Sequence, residues 1–576
     1  MPKSPILGAW SVARSKNVAD SEMTNLFLEF IPTKDGREPG FLQMCPGLDL
    51  LTTLGTGPIR GPKIGLLGGN IYPVSGKQWY QLTPGLTATL LGNLATSSGP
   101  VSVIANTTQI AVFDGVNGYL TTASMASVGG GPLTGGSIGT AGALYTVGDT
   151  ITLLASDGTQ NATAIITVTG VSSGAVTSFV VTQPGNFSSD VTTLTQTSTS
   201  LNGSGFILTS PTFGSLVKMM TIPLPFSNPV SATYQDGFGL VNSAGTLLWY
   251  QSDLDDLSNW NPLNFSAADS TPDNIVALAD LTRQVFVFKE KHTEFWVNVG
   301  QAGFTFQRIQ GPFLEVGCQA PFSVAKAGSS LIWLGQTTEG QRQVFEIGGY
   351  EPKRISTDSL DAELATYSTV SDAIGAVYQQ AGHTFYILTF PTVKKTWCYD
   401  VAESLMTGIP QWHRRASFSN GFFSRHPGNA FCTFSTTLYP ALPNVVGDYQ
   451  NGNLYVFDLD QPTDNGTPRK WVRSWRALQQ PSVVPVRFPG LTIGMETGMQ
   501  VPSGTNPQAS LYWSDDGGHN WVGPMIRPVG KTGQTSWRVM FKRLGSTRRL
   551  TGLDRIFRLE SSDPFKVSIL SADIDP

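Results

Sequence analysis

Residues 511–559 read LYWSDDGGHNWVGPMIRPVGKTGQTSWRVMFKRLGSTRRLTGLDRIFRL. Apolar Leu511, Tyr512 and Trp513 run into a Gly-rich reversal and the chain returns through Trp521, which is the pattern of a β-hairpin. The turn has the spacing Ser514-x-Asp516-x-Gly518-x-x-Trp521. Short polar side chains in such a turn cap the loop's own backbone, and glycine supplies the positive φ. The expected role of these four residues is therefore structural.

The second half of the stretch is basic. Arg527, Lys531, Arg538, Lys542, Arg543, Arg548, Arg549, Arg555 and Arg558 are opposed by Asp554 alone. On a strand, Trp537, Val539 and Phe541 share one face and Arg538 and Lys542 the other. Lys542, Arg543, Arg548 and Arg549 flank Gly545 and are expected to cluster at one hairpin tip. That tip is the candidate contact for an acidic partner or a nucleic-acid backbone; a solvated strand face is the other reading.

The chain as a whole sets the frame for both halves. A length of 576 residues calls for several domains or one large array, and a net charge of -4 excludes a globally basic nucleic-acid binder. Few charges, 62 glycines and 37 prolines favour turns and strands over long helices, so the expected class is all-β. Cys45, Cys318, Cys398 and Cys432 form neither a CxxC pair nor a dense framework, as in a chain folded in a reducing cytosol. The first twenty residues carry no apolar core of signal-peptide length, and no stretch is long enough for a membrane span.

Hairpin-like units recur along the chain. Residues 25–51, 69–82, 101–120, 283–299, 331–347, 383–400 and 451–458 each pair apolar runs across a turn of Gly, Asn or Asp or close on an aromatic residue. Their recurrence without identical repeats predicts an irregular β-propeller. The turn at 514–521 fits that fold, because it resembles the Asp box found on propeller blades. One short helix is expected within 357–367, linking blades. Residues 129–209 break the scheme: no Lys or Arg occurs between Lys77 and Lys218, and alternation at 163–168 and 176–181 marks strands. The expected division is 1–128 for an N-terminal segment and first blades, 129–209 for an inserted Gly/Thr-rich β-module, and 210–576 for the remaining blades with the basic hairpin.

No catalytic, cofactor or metal site emerges. The five histidines are scattered, and neither a G-x-S-x-G elbow nor a Walker loop is present. Asp253, Asp255 and Asp256 offer paired carboxylates, but neighbours on an extended chain point apart, so they read as a loop cap. A sialidase-like propeller glycosidase remains the enzyme alternative, with a single Asp box in its favour. Lys353-Arg354, Lys394-Lys395, Arg414-Arg415 and Arg469-Lys470 read as solvated loop edges.

Four places together resemble the packaged-DNA stabilisation proteins, or tail hubs (nozzles), of short-tailed bacteriophages. They are NLFLEF followed by GFLQMCPGLDLL; residues 247–296; STDSLDAELATY through PQWHRR; and the terminal FKRLGSTRRLTGLDRIFRL. The resemblance implies a non-catalytic virion protein of the tail, assembled in the host cytoplasm as a hexameric ring of irregular propellers. It also implies a place below the portal and the adaptor (head-to-tail connector), with contacts to tail fibres or tailspikes, to a needle or plug, and to passing double-stranded DNA. Residues 129–209 look like an addition to that pattern. A receptor-binding tail protein is the third alternative, against which stands the lack of long heptads or short repeats.

Overall fold

The computed structural model describes residues 3–14, 20–31, 38–123, 133–155, 163–185, 191–213, 218–478, 485–499, 501–502, 504–547 and 555–575. Short apolar runs broken by Gly, Asn and Asp give almost nothing but strands. Seven antiparallel sheets succeed one another as blades. Blade 1 is Gly65–Leu67, Asn70–Tyr72, Gln78–Leu82 and Ala88–Asn93; blade 2 is Ser102–Ala105, Gln109–Phe113, Gly118–Thr122 and Met220–Ile222. Blade 3 is Pro229–Gln235, Phe238–Ser243, Leu248–Gln251 and Phe265–Ala267; blade 4 is Ile275–Leu281, Gln284–Lys289, Thr293–Asn298 and Phe306–Leu314. Blade 5 is centred on Ser330–Thr337 and Arg342–Ile347, and blade 6 is Ile374–Gln380, His383–Phe390, Lys395–Asp400 and Gln411–Ser419.

Blade 7 closes the ring. Gly428–Thr433, Asn444–Asp448 and Asn453–Asp458 are completed by the early strand Gly47–Thr53, antiparallel to 453–458. The fold is a β-propeller. Its innermost strands converge because small residues, among them Gly65, Ala105, Ala232, Ala279 and Ala325, line a central channel of about 490 Å³. Between blades the faces are filled by aromatics: Trp249, fully buried, meets Trp296 and Phe304 edge-on at 5.2 and 4.8 Å. A helix, Asp358–Ala365, joins blades 5 and 6, capped by Thr357, whose side chain accepts from the Leu360 amide. A second helix, Val401–Thr407, starts at Asp400, which caps the Glu403 amide, and ends at Gly408 with φ 69°.

The Gly/Thr-rich segment occupies the connection between the third and fourth strands of blade 2. Within 133–213 six strands form one sheet, Leu133–Ala143, Ser204–Phe213, Thr193–Thr199, Thr150–Ala155, Thr163–Ser172 and Ala175–Gln183 in spatial order. Alternation along 150–155 and 163–168 points Ile151, Leu153, Ala164, Ile166 and Val168 inward. The resulting core contains residues of this segment alone.

Propeller blades do not extend to either end of the chain. Beyond Asp458 the blade 7 sheet adds only the short strands Thr463–Asp464 and Thr467–Pro468, and residues 471–575 form two facing sheets with strands from 3–44. One sheet holds Leu26–Phe30, Gly40–Met44, Ser568–Ile574, Gly490–Met495 and Val539–Lys542. The other runs outward from blade 6 through Met23–Thr24 to Trp471–Arg476, Ile556–Ser561, Gln508–Ser514 and Val522–Pro528. The N-terminal segment that precedes the first blades belongs to the sandwich, and 210–576 is not blades throughout. The physical reason is burial: Leu26, Leu42 and Met44 pack in one cluster with Trp475, Phe541 and Ile569. Trp412 and Tyr386 of blade 6 belong to the same cluster, so sandwich and propeller share a core.

Candidate functional site

The hairpin at 508–528 pairs Leu511 with Met525 and Trp513 with Val522. It belongs to the sandwich, not to a blade. Its turn is held by side chains: Asp516 Oδ1 accepts the amides of His519 at 3.1 Å and Asn520 at 2.8 Å. Ser514 Oγ donates to Asp516 Oδ1 at 2.7 Å and accepts the Gly518 amide at 2.9 Å, with Gly518 at φ 84°. The amide and side chain of Asn520, with Ser514, hold the Asp516 carboxyl well below the usual carboxylate range. Trp521 lies under the Arg558 guanidinium at 5.9 Å. Arg558 in turn binds Glu560 at 3.0 Å, Glu560 binds Lys470 at 2.7 Å, and Lys470 sits 5.0 Å over Phe418 of blade 6. The box thus ends a chain of cation contacts that reaches the propeller.

The basic residues are dispersed. Strand Val539–Lys542 pairs with Gly490–Met495, and the ladder continues through Gly545 to 486–489, with the Phe488 amide donating to Gly545 O at 2.7 Å. Ile556–Ser561 lies in the opposite sheet. Gly545 is therefore no hairpin turn, and Lys542 and Arg543 do not stand at a tip; Arg548 and Arg549 lie outside the described residues. Arg555 is buried, with its Nε 2.7 Å from Asp515 and its Nη1 2.6 Å from Leu544 O. The alternation of 539–542 does separate buried Val539 and Phe541 from exposed Lys542. Arg538 and Lys542 are exposed on the outer face of their sheet, and Trp537 and Ile526 are exposed along the open edge of the sandwich. That edge is closed to strand addition: Pro524 and Pro528 lack donors, and Arg527 and Trp537 donate to the carbonyls of Ile526 and Pro528 at 2.9 Å.

Two of the basic residues read as solvated are instead among the most buried in the molecule. Arg415 is 1% exposed and Arg469 3%. Arg415 donates to the Tyr378 hydroxyl and stacks on Tyr378 and Phe385, each at 5.2 Å. Arg469 donates to Pro46 O and Cys45 O at 2.8 Å, tying the strand that closes the propeller to the first sandwich strand. Its Nε stands 3.5 Å from Asp464 Oδ1, too long for a hydrogen bond, and burial pushes the Asp464 carboxyl up to about 6 against the pull of Arg469 and Arg415. Asn25, at φ 58°, completes the junction: its side chain donates to Ala416 O and Lys470 O at 2.8 Å and accepts the Ala416 amide at 2.9 Å. Beside it the His383 Nδ1 lies 2.6 Å from Asp400, which with Glu403 and Glu29 holds the imidazole above its usual value although burial acts the other way.

Sequence reasoning missed this junction because its partners lie up to 445 positions apart. The one local signal was parity: on strand Gln411–Ser419, Arg415 shares a face with His413, which is also buried. The acidic loop is engaged locally. Asp256 accepts from Ser258 and from Gln109 of blade 2, Asp255 from Tyr234, and Asp253 from Asn259. Among the described residues no cluster of His, Cys, Asp and Glu has metal-binding geometry, and no helix is long and apolar enough to cross a membrane.

A closed propeller joined to a sandwich through a shared core, with its ionisable groups used in cohesion, is the build of a structural component. The chain belongs to the family of Gp10 of bacteriophage P22, a structural phage tail hub protein: residues 168–461 match the β-propeller of that family and 471–575 its β-sandwich. The first match starts inside the inserted module, and the structure supplies the blades that precede it. No curated protein matches the chain in sequence. Among solved structures, the N-terminal domain of Nup159 is 8% identical with a TM-score of 0.34, covering 76% of this chain and 99% of that one. Virginiamycin B lyase from Staphylococcus aureus is 10% identical with a TM-score of 0.33, covering 71% and 98%. The Neurospora crassa Pan2 WD40 domain is 8% identical with a TM-score of 0.33, covering 71% and 94%.

Proposed function

We propose that this protein forms the tail hub ring of a short-tailed phage, below the portal and adaptor, where it closes the capsid exit and retains packaged DNA. The observation that carries this reading is the consecutive match of propeller and sandwich to one phage structural family. Copies assemble as a hexamer in the host cytoplasm, surround the path of ejected DNA, and hold fibres or spikes on the rigid propeller loops. The buried junction supports the role, because a plug under load from packed DNA needs two domains that move as one body. The ring works without catalysis. Phage lacking the protein should fill heads that then leak DNA, and adding purified protein should restore titre; heads that stay full without it would sink the reading. Purified protein that cleaved sialosides or capsular polysaccharide at enzymatic rates would overturn the non-catalytic role.

A further inference from the structure

Two surfaces of the molecule complement each other and cannot meet within one copy. The first is the open edge of the sandwich, where Trp537 is 42% exposed next to Arg538 and exposed Lys542 alternates onto the same strand face as Arg538. Among the described residues Arg538 and Lys542 have no carboxylate partner. The second is the loop between the third and fourth strands of blade 3, residues 252–264. It exposes Leu254 at 62% and Leu263 at 79% beside Asp253 and Asp255. These two carboxylates meet only neutral donors among the described residues, Asn259 and the Tyr234 hydroxyl.

Geometry separates the two. The sandwich hangs from the outer strand of blade 6 through Met23–Thr24. Blade 3 is three blades away from blade 6 through blades 4 and 5, and three from blade 7 through blades 2 and 1. Residues 527–558 carry nine basic groups against one acidic, while the whole chain carries -4, so the remaining surface is net acidic. Exposed apolar side chains rimmed by opposite charges are the ordinary make-up of a protein interface. Because the edge is closed to strand addition, such contact runs through side chains.

We propose that the basic edge of one copy docks on the acidic blade 3 loop of a second copy of this chain. The contact joins two different surfaces, so it is heterologous and propagates around a ring. This rests on the ring reading above and adds the surfaces that make it.

The test is charge exchange in the full chain, scored by hub rings in phage particles seen by electron microscopy and by titre. Arg538→Glu with Lys542→Glu, and separately Asp253→Lys with Asp255→Lys, should each reduce ring-bearing particles at least about tenfold. A chain carrying all four changes should recover, as should a mixture of the two double variants, since each then offers what the other lacks. Leu263→Glu, at a position outside the core, should also block rings while leaving the free chain's melting unchanged. Normal particles from either double variant, or no recovery in the fourfold chain when all variants melt as wild type, would overturn the proposed surfaces. Wild-type particles without any ring of this protein would instead overturn the ring reading itself.

Discussion

The inserted module and the propeller–sandwich junction hold themselves together in opposite ways. The module closes its own core from Leu133, Ile151, Leu153, Ile166, Leu194, Phe206 and Leu208, all within one segment and without a single Lys or Arg. At the junction, segments from both ends of the chain meet around Arg415, Arg469 and Asn25, whose hydrogen bonds cross domain boundaries. The difference teaches where cooperativity lies. A local apolar core can be removed as a unit, whereas a buried charge whose partners lie elsewhere makes both domains depend on it.

The sharpest way to break that contrast is Arg469→Ala. It strips three carbonyls of their donor and leaves buried Asp464 without its nearest cation, which should cost about 3–5 kcal/mol. Chemical denaturation of the purified variant measures it. The loss should shrink at pH 5, where the orphaned carboxyl takes up a proton. A loss below 1 kcal/mol at both pH values would show the domains to be independent after all. Asn25→Ala comes next. It removes three buried hydrogen bonds and places alanine at φ 58°, for about 2–3 kcal/mol in the same measurement.

The ranking of these two residues was not legible in the sequence, and the reason is physical. Strand alternation exposes local burial, so the alternating runs at 163–168 and the capped helix at 357–365 could be read directly. The Asp box could be read too, because every group it satisfies lies within six residues of Ser514. Its placement on a blade was wrong, since a hairpin turn carries no information about which sheet receives it. Arg415 and Arg469 sat in ordinary basic dipeptides, and only the tertiary fold wraps aromatic rings and carbonyls around them. The tip expected around Gly545 failed for a related reason: glycine with positive φ also occurs inside a ladder, here opposite 486–489.

Titration gives a smaller effect with a definite sign. Asp464 titrates at about 6 in the folded chain, above its ordinary value, so the native state holds more protons than the unfolded one between about pH 4 and 6. Its contribution is complete at low pH and is lost as pH rises through 6. His383, also raised, contributes below its unfolded pKa and loses that contribution as pH climbs through its folded value. Both act in the same direction, whereas His413 and His426, which burial holds well below the usual imidazole range, act in the opposite one. The share of Asp464 is therefore read by comparing the melting slope of Asp464→Asn with that of wild type between pH 5 and 8. Because wild type loses the Asp464 contribution as pH rises, the melting temperature of the variant should rise relative to wild type between about pH 5 and 7. A variant whose melting slope equals that of wild type would contradict the geometry around Asp464.

Asp516→Ala should have a weaker effect than any junction variant. It frees the amides of His519 and Asn520, but at an exposed turn where water replaces the lost acceptor. The expected result is a small drop in melting temperature, with Trp521 fluorescence shifted as the turn loosens next to Arg558. An effect as large as that of Asn25→Ala would mean that the chain of contacts from Trp521 to Phe418 couples the box to the junction.

The smallest effect is expected from the largest change, replacement of residues 123–217 by an Asn-Gly turn. The flanking strands of blade 2 are already paired, with Gly118 opposite Ile222, Tyr119 opposite Thr221 and Leu120 opposite Met220. Thr121 Oγ1 also donates to Lys218 O at 2.7 Å, which brings the two ends to within a tight reversal of each other. A two-residue turn suits that spacing and the twist of the strands. The deleted core contributes no side chain to the clusters on either side of blade 2. Shortening a long connection also lowers the entropy lost on closing it, a gain of at most about 3 kcal/mol because that cost grows slowly with loop length. The shortened chain should therefore melt within a few degrees of the full one, and the excised segment 133–213 should fold alone with a strand spectrum. Loss of cooperative melting in the shortened chain would place the module in the propeller's core and erase the contrast with the junction.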